Sequence, residues 1–459
     1  MLKYDILVIG SGPGGYVAAI KASQLGAKVA LIEDHKVGGM CLNYGCIPTK
    51  AYLKSAKIFH FLNNASNFGI NASVTINFNW LSVLERKNKI VKQLINGINH
   101  LLKKNKIDVY HGFAEALTPH QIKVNEKILK TKKLIIATGA SALIPPIQGV
   151  QEAYQKGTLY TSKEIVNLDK YPKKIIIIGG GVISVEFATI FNKFGSEVII
   201  IEKQNSILNT MDKDIINTYT QKLIKNGIKI FTESQVNLVK DREVHYLYKN
   251  EQKQEKADII LLAIGNKPNL KGIEKLNLVT EKSGIVTDNF LKTSVEDVYA
   301  IGDVNGKFML AHVATHEGIV AVFHALEQTL HLKPMNYDHI PSCIYGFPEI
   351  ASIGFTEEQL KQKNISYKTF KFPVSAIGKA LVDGETEGFA KIIVEQKNLK
   401  ILGMHILAYN ATDLISEIGL AMEFNATAYD VAHTIHPHPT LSELTLETVL
   451  GVIDKPIHI

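Results

Sequence analysis

Two cysteines, Cys41 and Cys46, stand five positions apart in the run GGMCLNYGCIPTK from Gly38 to Lys50. Thiols so spaced can shuttle electrons as a dithiol–disulfide couple, supply half of a zinc site, or lie inert in a core. On a regular helix the two side chains would point about 140° apart. Bridging them therefore needs a distorted turn, for which Gly45 and Pro48 are suited. Zinc normally takes about four Cys or His ligands, and no second pair of this kind occurs, so no metal is expected. Cys343 has no cysteine neighbour and reads as packing. Near the other end, HPHPTLSE from His436 to Glu443 offers two imidazoles and a carboxylate. Thr440 to Glu443 has the spacing of a capping box, in which Glu443 satisfies a backbone donor at a helix start. The same carboxylate can instead orient an imidazole base.

The elements that would carry these groups come as an internal repeat. YDILVIGSGPGGYVAAIKASQLGAKVALIED starts at Tyr4, and KIIIIGGGVISVEFATIFNKFGSEVIIIEK starts at Lys174. Each is an apolar strand, a glycine-rich turn, a helical stretch and a second apolar strand ending in glutamate. Gly10 to Gly26 and Gly179 to Gly195 both span 16 positions; Gly10 to Glu33 and Gly179 to Glu202 both span 23. In a dinucleotide-binding unit the glycines permit the tight turn, the approach to a pyrophosphate and close helix–strand packing. The helix N-terminus then faces the phosphates and the glutamate takes the ribose hydroxyls. Ser184 replaces the third glycine of the second copy, a change small enough for packing to tolerate. A carboxylate at Glu202 repels a 2′-phosphate, which favours NAD over NADP; Lys203 follows, but no arginine pair stands nearby. Two dinucleotide turns in one chain imply electron transfer between two cofactors, and a cysteine pair beside the first makes redox use of the sulfurs the leading reading.

The 459 residues suggest about three domains. With 46% hydrophobic and 21% charged residues, disorder, collagen and small disulfide-stapled scaffolds are excluded. The +7 net charge is carried by scattered lysines, so a solvated face is expected and nucleic-acid binding is not. The longest apolar runs, around Lys174 to Val182 and Asp258 to Ile264, fall short of the ~18 residues of a membrane span and predict buried parallel strands. The apolar start runs straight into Gly10-Ser11-Gly12, a strand entering a loop rather than an export signal. Three cysteines without such a signal suit a reducing cytoplasm.

The cysteine run resembles the redox signature of the flavoprotein disulfide reductases, the class I pyridine nucleotide-disulfide oxidoreductases. HPHPTLSE is similar to the acid–base motif of the branch that oxidises dihydrolipoamide. The resemblance spans essentially the whole chain through LIIATGA around Thr138, LLAIGNKPN around Gly265, VYAIGDV around Asp303, LAHVATHEG from Leu310 and FPEIASIGFTE from Phe347. It implies an α/β fold of two Rossmann-like domains plus a C-terminal α+β dimerisation domain. The expected boundaries are 1–143 with 271–340 for FAD, 144–270 for NAD, and 341–459 for dimerisation. FAD would lie against Gly10, Gly12, Gly14, Gly15, Glu33, Lys50, Ala114, Thr138, Gly139, Asp303 and Ala311. NAD would lie against Gly179, Gly181, Val182, Ile183, Glu202, Val236 and Gly265. The resemblance makes Cys41 and Cys46 a redox-active disulfide, pairs Lys50 with Glu186 near the flavin, and makes His438 the base oriented by Glu443. It places that base in the partner subunit of a homodimer. The implied activity is NAD-dependent oxidation of dihydrolipoyl groups borne by 2-oxo acid dehydrogenase complexes or the glycine cleavage system.

Other readings want other residues: a glutathione-type reductase using NADPH, basic residues near Glu202; a mercuric reductase, cysteines in the tail from Gly451 to Ile459; a transhydrogenase, no paired Cys41 and Cys46. A flavin-bearing structural subunit would need none of the sulfur chemistry. Five positions depart from the pattern: Met40 for threonine, Asn266 for arginine, Gly346-Phe347 for a Thr-His pair and Pro437 for alanine.

Overall fold

The structure, a computed structural model, describes residues 3–71 and 75–459. Strand β1 (Lys3–Ile9) enters helix α1 (Pro13–Gln24) through the first glycine turn and returns as β2 (Val29–Glu33). Both strands are built of Val, Ile and Leu, and β2 is buried along its whole length, as parallel strands covered on both faces must be. They lie in a seven-stranded sheet with the parallel strands Asp108–His111, Lys127–Ile136 and Val298–Ala300 and an antiparallel edge, Ala114–Thr118 and Gln121–Val124.

The second copy repeats this arrangement. Strands Lys229–Phe231, Glu197–Ile201, Lys174–Ile178, Ile259–Leu262 and Leu159–Tyr160 form a five-stranded parallel sheet. Its outermost strand comes from before the repeat, whereas Val298–Ala300 joins the first sheet from far downstream. The chain passes between the two sheets through a short antiparallel ribbon, Ala140–Ala142 with Asn266–Pro268. Thr138 and Asn269 lock it: the Thr138 hydroxyl donates to the Asn269 carbonyl at 2.7 Å, and the Asn269 amide returns a bond of 3.0 Å to the Thr138 carbonyl. Asn266 lies exposed in this ribbon, opposite Ala142. The C-terminal part is a five-stranded antiparallel sheet, Ser342–Ile344, Glu349–Gly354, Ile401–Ala408, Phe389–Glu395 and Tyr367–Pro373. Helices including Ala411–Glu423 and Glu443–Ile453 flank it.

Buried charge ties this sheet to the second glycine-turn unit. Lys391 is 3% exposed, and its ammonium donates to Asp212 at 3.0 Å and Asp214 at 2.8 Å and pairs with Glu357 at 2.6 Å. Burial alone would lower the Lys391 pKa, but these carboxylates outweigh it and hold the ammonium well above the usual lysine range. Asp212 also caps helix Lys213–Lys225 by accepting from the Asp214 amide.

The two glycine turns superpose in their constraints. Gly10 and Gly179 have φ of +97° and +107°, and a side chain at either would sit 2.3 Å from a backbone oxygen, Ala137 or Ala263. They part at the third glycine. A side chain at Gly15 would lie 1.9 Å from the Gly10 oxygen, so the equivalent helix must stand slightly off its turn to admit Ser184. Ser184 fits, fully buried, but its hydroxyl finds no hydrogen-bond partner. Leaving a buried hydroxyl unpaired costs ~1–3 kcal/mol. Ser184→Ala is therefore expected to raise the melting temperature by about 2 °C, read by differential scanning calorimetry. A lower melting temperature would mean that the hydroxyl is bonded.

Candidate active site

Helix α2 (Gly39–Tyr44) carries Cys41, and helix α3 (Cys46–Asn63) begins on Cys46. Gly45, at φ −122° and ψ −106°, breaks the helical path between them. That break brings the α-carbons of Cys41 and Cys46 to 4.8 Å and lets the sulfurs bond as a disulfide. Pro48 falls in the first turn of α3, where no intrahelical N–H is required of it. The disulfide is held against the first glycine turn. The Gly38 amide donates to the Ser11 carbonyl at 3.0 Å, and a side chain at Gly39 would stand 2.5 Å from the Gly12 α-carbon.

One turn into α3, Lys50 reaches across to the second glycine-turn unit. Its ammonium lies 2.9 Å from both oxygens of Glu186, on the helix Val182–Phe194. Glu186 is buried, and its Oε1 also accepts the Tyr345 amide at 3.1 Å. The Lys50 ammonium sits 4.5 Å from the centre of the Tyr345 ring. All three parts of the chain thus meet at Lys50, one turn along α3 from Cys46.

The dinucleotide turns keep their helix ends open. Gly12 and Gly181 precede α1 and Val182–Phe194 with no side-chain cap and no acidic residue in either first turn, which leaves amide N–H groups for an anion. Val182 and Ile183 open the second helix, Gly14 and Gly15 lie buried in α1, and Ala311 opens the helix Ala311–Ala325. Glu33 and Glu202 play matching parts. One oxygen of Glu33 accepts the Ser11 amide and the other the His35 amide, both at 2.9 Å; Glu202 accepts the Gly180 and Gln204 amides. These carboxylates therefore also shape the turns they face, a role beyond the ribose contact expected from the sequence. Thr138 and Gly139 lead into the first strand of the ribbon described above and Gly265 into its second, with Gly139 and Gly265 at φ +69° and +115°. Ala114 and Val236 are buried at the starts of strands Ala114–Thr118 and Gln235–Lys240. Asp303 lies in a short turn, Gly302–Val304, where burial pushes its carboxyl up to about 6.

At the C-terminal end the two histidines separate by environment. The His436 side chain is 3% exposed, bonded to Glu417 at 2.7 Å and to the Thr434 carbonyl at 2.8 Å. The His438 side chain is 75% exposed, and its Nδ1 lies 2.8 Å from Glu443 Oε1. Glu443 does both things the sequence left open: its Oε2 accepts the Thr440 amide at 3.0 Å while Oε1 holds the imidazole. Partial burial would raise the Glu443 pKa, but the bonds from His438 and Thr440 prevail and hold it below the usual range. Within the protomer the hydrogen bonds of this dyad join His438 to Glu443 and Glu443 to Thr440, and none runs to Cys41 or Cys46.

This geometry is shared with known proteins. Residues 4–318 match the pyridine nucleotide-disulphide oxidoreductase family, and residues 340–449 match the dimerisation domain of the same family. The chain belongs to this family. Among relatives of this oxidoreductase, a dihydrolipoyl dehydrogenase of Acholeplasma laidlawii is 53% identical over 73% of this chain and 99% of its own. One from Bacillus subtilis (strain 168) is 41% identical over 99% of both. Among solved structures, the HOCl-induced flavoprotein disulfide reductase RclA from Escherichia coli, as a Cu(II) complex, superposes with a TM-score of 0.87 at 28% identity, covering 98% of this chain and 99% of that one. Among the described residues, no helix is long and apolar enough to cross a membrane.

Two positioning residues of the oxidoreductase escape a reading of sequence. Glu317, fully buried in the helix Ala311–Ala325, accepts the Gly302 amide at 2.6 Å, the Tyr337 hydroxyl at 2.7 Å and the Asn305 amide at 3.0 Å, which fixes the turn bearing Asp303. Tyr345 gives Glu186 its amide. Glu317 lies inside a motif that marks the resemblance, yet nothing in its spacing tells a buried carboxylate from a solvated one.

The Asp303 carboxyl titrates near 6 in the fold and near ~4 in an unfolded chain. A carboxyl raised in this way subtracts stability progressively as pH rises from about 4 to about 6. Asp303→Asn in ligand-stripped protein is therefore expected to stabilise at pH 7 and to change little at pH 4, read by denaturant unfolding. Equal effects at the two pH values would show that the burial cost is misassigned.

Proposed function

We propose that this protein is an NAD-dependent dihydrolipoyl dehydrogenase, a homodimeric flavoenzyme that oxidises dihydrolipoyl groups carried on lipoyl domains. The observation that carries the reading is a disulfide packed against the first dinucleotide turn and tied to the second unit: Cys46 begins the helix from which Lys50 reaches Glu186 on the second turn's helix.

The residues present fit both cofactors. FAD would take the first turn with its uncapped helix, the Glu33 carboxylate at the end of β2 and Asp303, whose buried carboxyl suits the hydroxyls of a ribitol chain. NAD would take the second turn and Glu202. Bound together, they move the electron pair from the dithiol through the flavin to nicotinamide as hydride.

The protein's own groups manage the sulfur chemistry. With Nδ1 held by the Glu443 carboxylate, His438 presents Nε2 as the proton acceptor. It takes the proton of one substrate thiol, since only the thiolate is nucleophilic. That thiolate attacks Cys41, the sulfur–sulfur bond breaks, and Cys46 departs as a thiolate. Cys46 is the first residue of an 18-residue helix, where the partial positive charge of the helix end stabilises a thiolate. The second substrate thiol, once deprotonated, closes onto the first substrate sulfur and expels Cys41, which leaves a cyclic disulfide product and a reduced cysteine pair.

The exposure of His438 supports a base that works on the partner's disulfide. The C-terminal part also presents Leu420, Phe424, Tyr429 and Ile435 to solvent, Ile435 at 95%, apolar side chains suited to pairing with a second copy. Glu202 with no arginine pair beside it favours NAD, and cytoplasmic 2-oxo acid or glycine-cleavage complexes are the matching source of lipoyl groups.

Anaerobic titration with dihydrolipoamide and then NAD, followed through the flavin spectrum, tests this function. Reduction by dihydrolipoamide and reoxidation by NAD are expected; efficient NADPH-driven reduction of oxidised glutathione instead would overturn the reading. Cys41→Ser should abolish lipoyl turnover while keeping a Cys46 thiolate able to perturb the flavin spectrum. His438→Ala should slow the thiol half-reaction ~10²–10⁴-fold and leave NAD-dependent reoxidation near normal. Normal dihydrolipoamide turnover by His438→Ala would remove it as the base.

A further inference from the structure

Position 346, one of the places where the chain departs from its family's pattern, lies against a residue that no motif marks. A β-carbon on Gly346 would stand 2.0 Å from the Tyr219 hydroxyl oxygen, by far its closest approach, 3.0 Å from the ring carbon that bears it and 2.9 Å from the Pro348 carbonyl oxygen. Any other L-residue at 346 would therefore have to displace this phenol. Tyr219 is not free to move. It is fully buried in helix Lys213–Lys225, within the core that holds Ile344, Ile350, Phe187 and Phe191. Its helix is anchored one turn earlier by the Asp212 and Asp214 bonds to Lys391. The hydroxyl makes no hydrogen bond of good geometry, although Thr189 and Glu186 are its polar neighbours, and burial pushes the phenol up to about 12. It acts as a neutral, space-filling group.

The residue before Gly346 is Tyr345, whose amide donates to Glu186 and whose ring underlies the Lys50 ammonium. A displacement of Gly346 is thus passed along one peptide unit to the acceptor that fixes Lys50. We propose that Tyr219 is a positioning residue for the redox site: its hydroxyl occupies the space that Gly346 leaves and seats the 345–346 backbone so that Tyr345 and Glu186 hold Lys50 in place. Tyr219 and Gly346 are then one matched pair, and the glycine is tolerated because the phenol replaces the missing side chain. The kinetic consequence rests on the dihydrolipoyl dehydrogenase reading; the spectroscopic one needs only the flavin.

The test is a double-substitution cycle on the full-length holoenzyme with Tyr219→Phe, Gly346→Ala and the two combined. Each variant is read by the flavin midpoint potential, by hydrogen exchange at the Tyr345 amide and by kcat with dihydrolipoamide. Gly346→Ala is expected to speed exchange at Tyr345, shift the flavin potential and lower kcat about tenfold, since displacements of about 1 Å near a reacting centre are costly. Tyr219→Phe keeps the ring and should cost at most about threefold. The combined variant should recover about threefold or more of the kcat lost in Gly346→Ala and slow the exchange again, because the clash with the phenol oxygen is gone while the close approach to the Pro348 carbonyl remains. If Gly346→Ala is silent in potential and exchange, or if the combined variant is no better than Gly346→Ala, the proposal is overturned. A lowered melting temperature with potential and exchange unchanged would mean packing alone and would overturn it too. Should wild type fail to turn over dihydrolipoamide, the function falls, while potential and exchange still decide the coupling.

Discussion

The contact on which this architecture turns is the meeting of Lys50, Glu186 and Tyr345. Lys50 comes from the helix begun by Cys46, Glu186 from the helix begun by the second glycine turn, and Tyr345 from beyond the first strand of the antiparallel sheet. An ion pair with one buried and one partly exposed member adds little net stability, because desolvation offsets most of the attraction. Its worth is registration. The carboxylate spends both oxygens on the ammonium and shares one with a backbone amide, so none of the three elements can shift without unpairing a buried charge. A sulfur pair that must work beside a flat aromatic cofactor needs such fixing, since electron and group transfer tolerate little misplacement.

The repeated glycine turns show how far one solution can be reused. Both have a positive-φ glycine pressed on a backbone oxygen at the same separation, and both have a strand-ending glutamate that binds the amide of the next residue in the turn. They differ where their surroundings differ. The first turn receives the disulfide-bearing helix α2 against Gly12, whereas the second accommodates Ser184 and sends Glu186 toward Lys50.

Much of this was legible in the amino-acid sequence because it follows from local rules. Glycine spacing, apolar strands and the terminal glutamates report backbone constraints within some two dozen residues, and the parallel strands at 174–178 and 259–262 came out buried as expected. For the cysteine pair, helical periodicity alone argues against a bridge, while the neighbouring glycine turn favours redox use and Gly45 suits a distorted turn; the break at Gly45 makes the bridge. Glu443 shows a limit of spacing arguments: a capping carboxylate and a base-orienting one look alike in sequence, and this residue is both. What stayed hidden involves partners far apart in the chain. Lys391 and Asp212 are separated by 179 positions, and Glu186 and Tyr345 by 159. No periodicity announces that such a charge will be buried, and only the fold brings its partner to it.

The knot around Lys391 has a consequence for how the molecule comes apart. Its centre, Lys391 with Asp212, is shut away from solvent, so salt screens that pairing less than it does surface pairs. Stripping the second dinucleotide unit from the antiparallel sheet would leave Asp212 and Asp214 together at a helix start without their cation, and Lys391 with Glu357 as its remaining carboxylate. Neither fragment offers a comfortable resting state. The second glycine-turn unit and the C-terminal sheet are thus energetically coupled: forms with one intact and the other loose carry the cost of unpairing this charge.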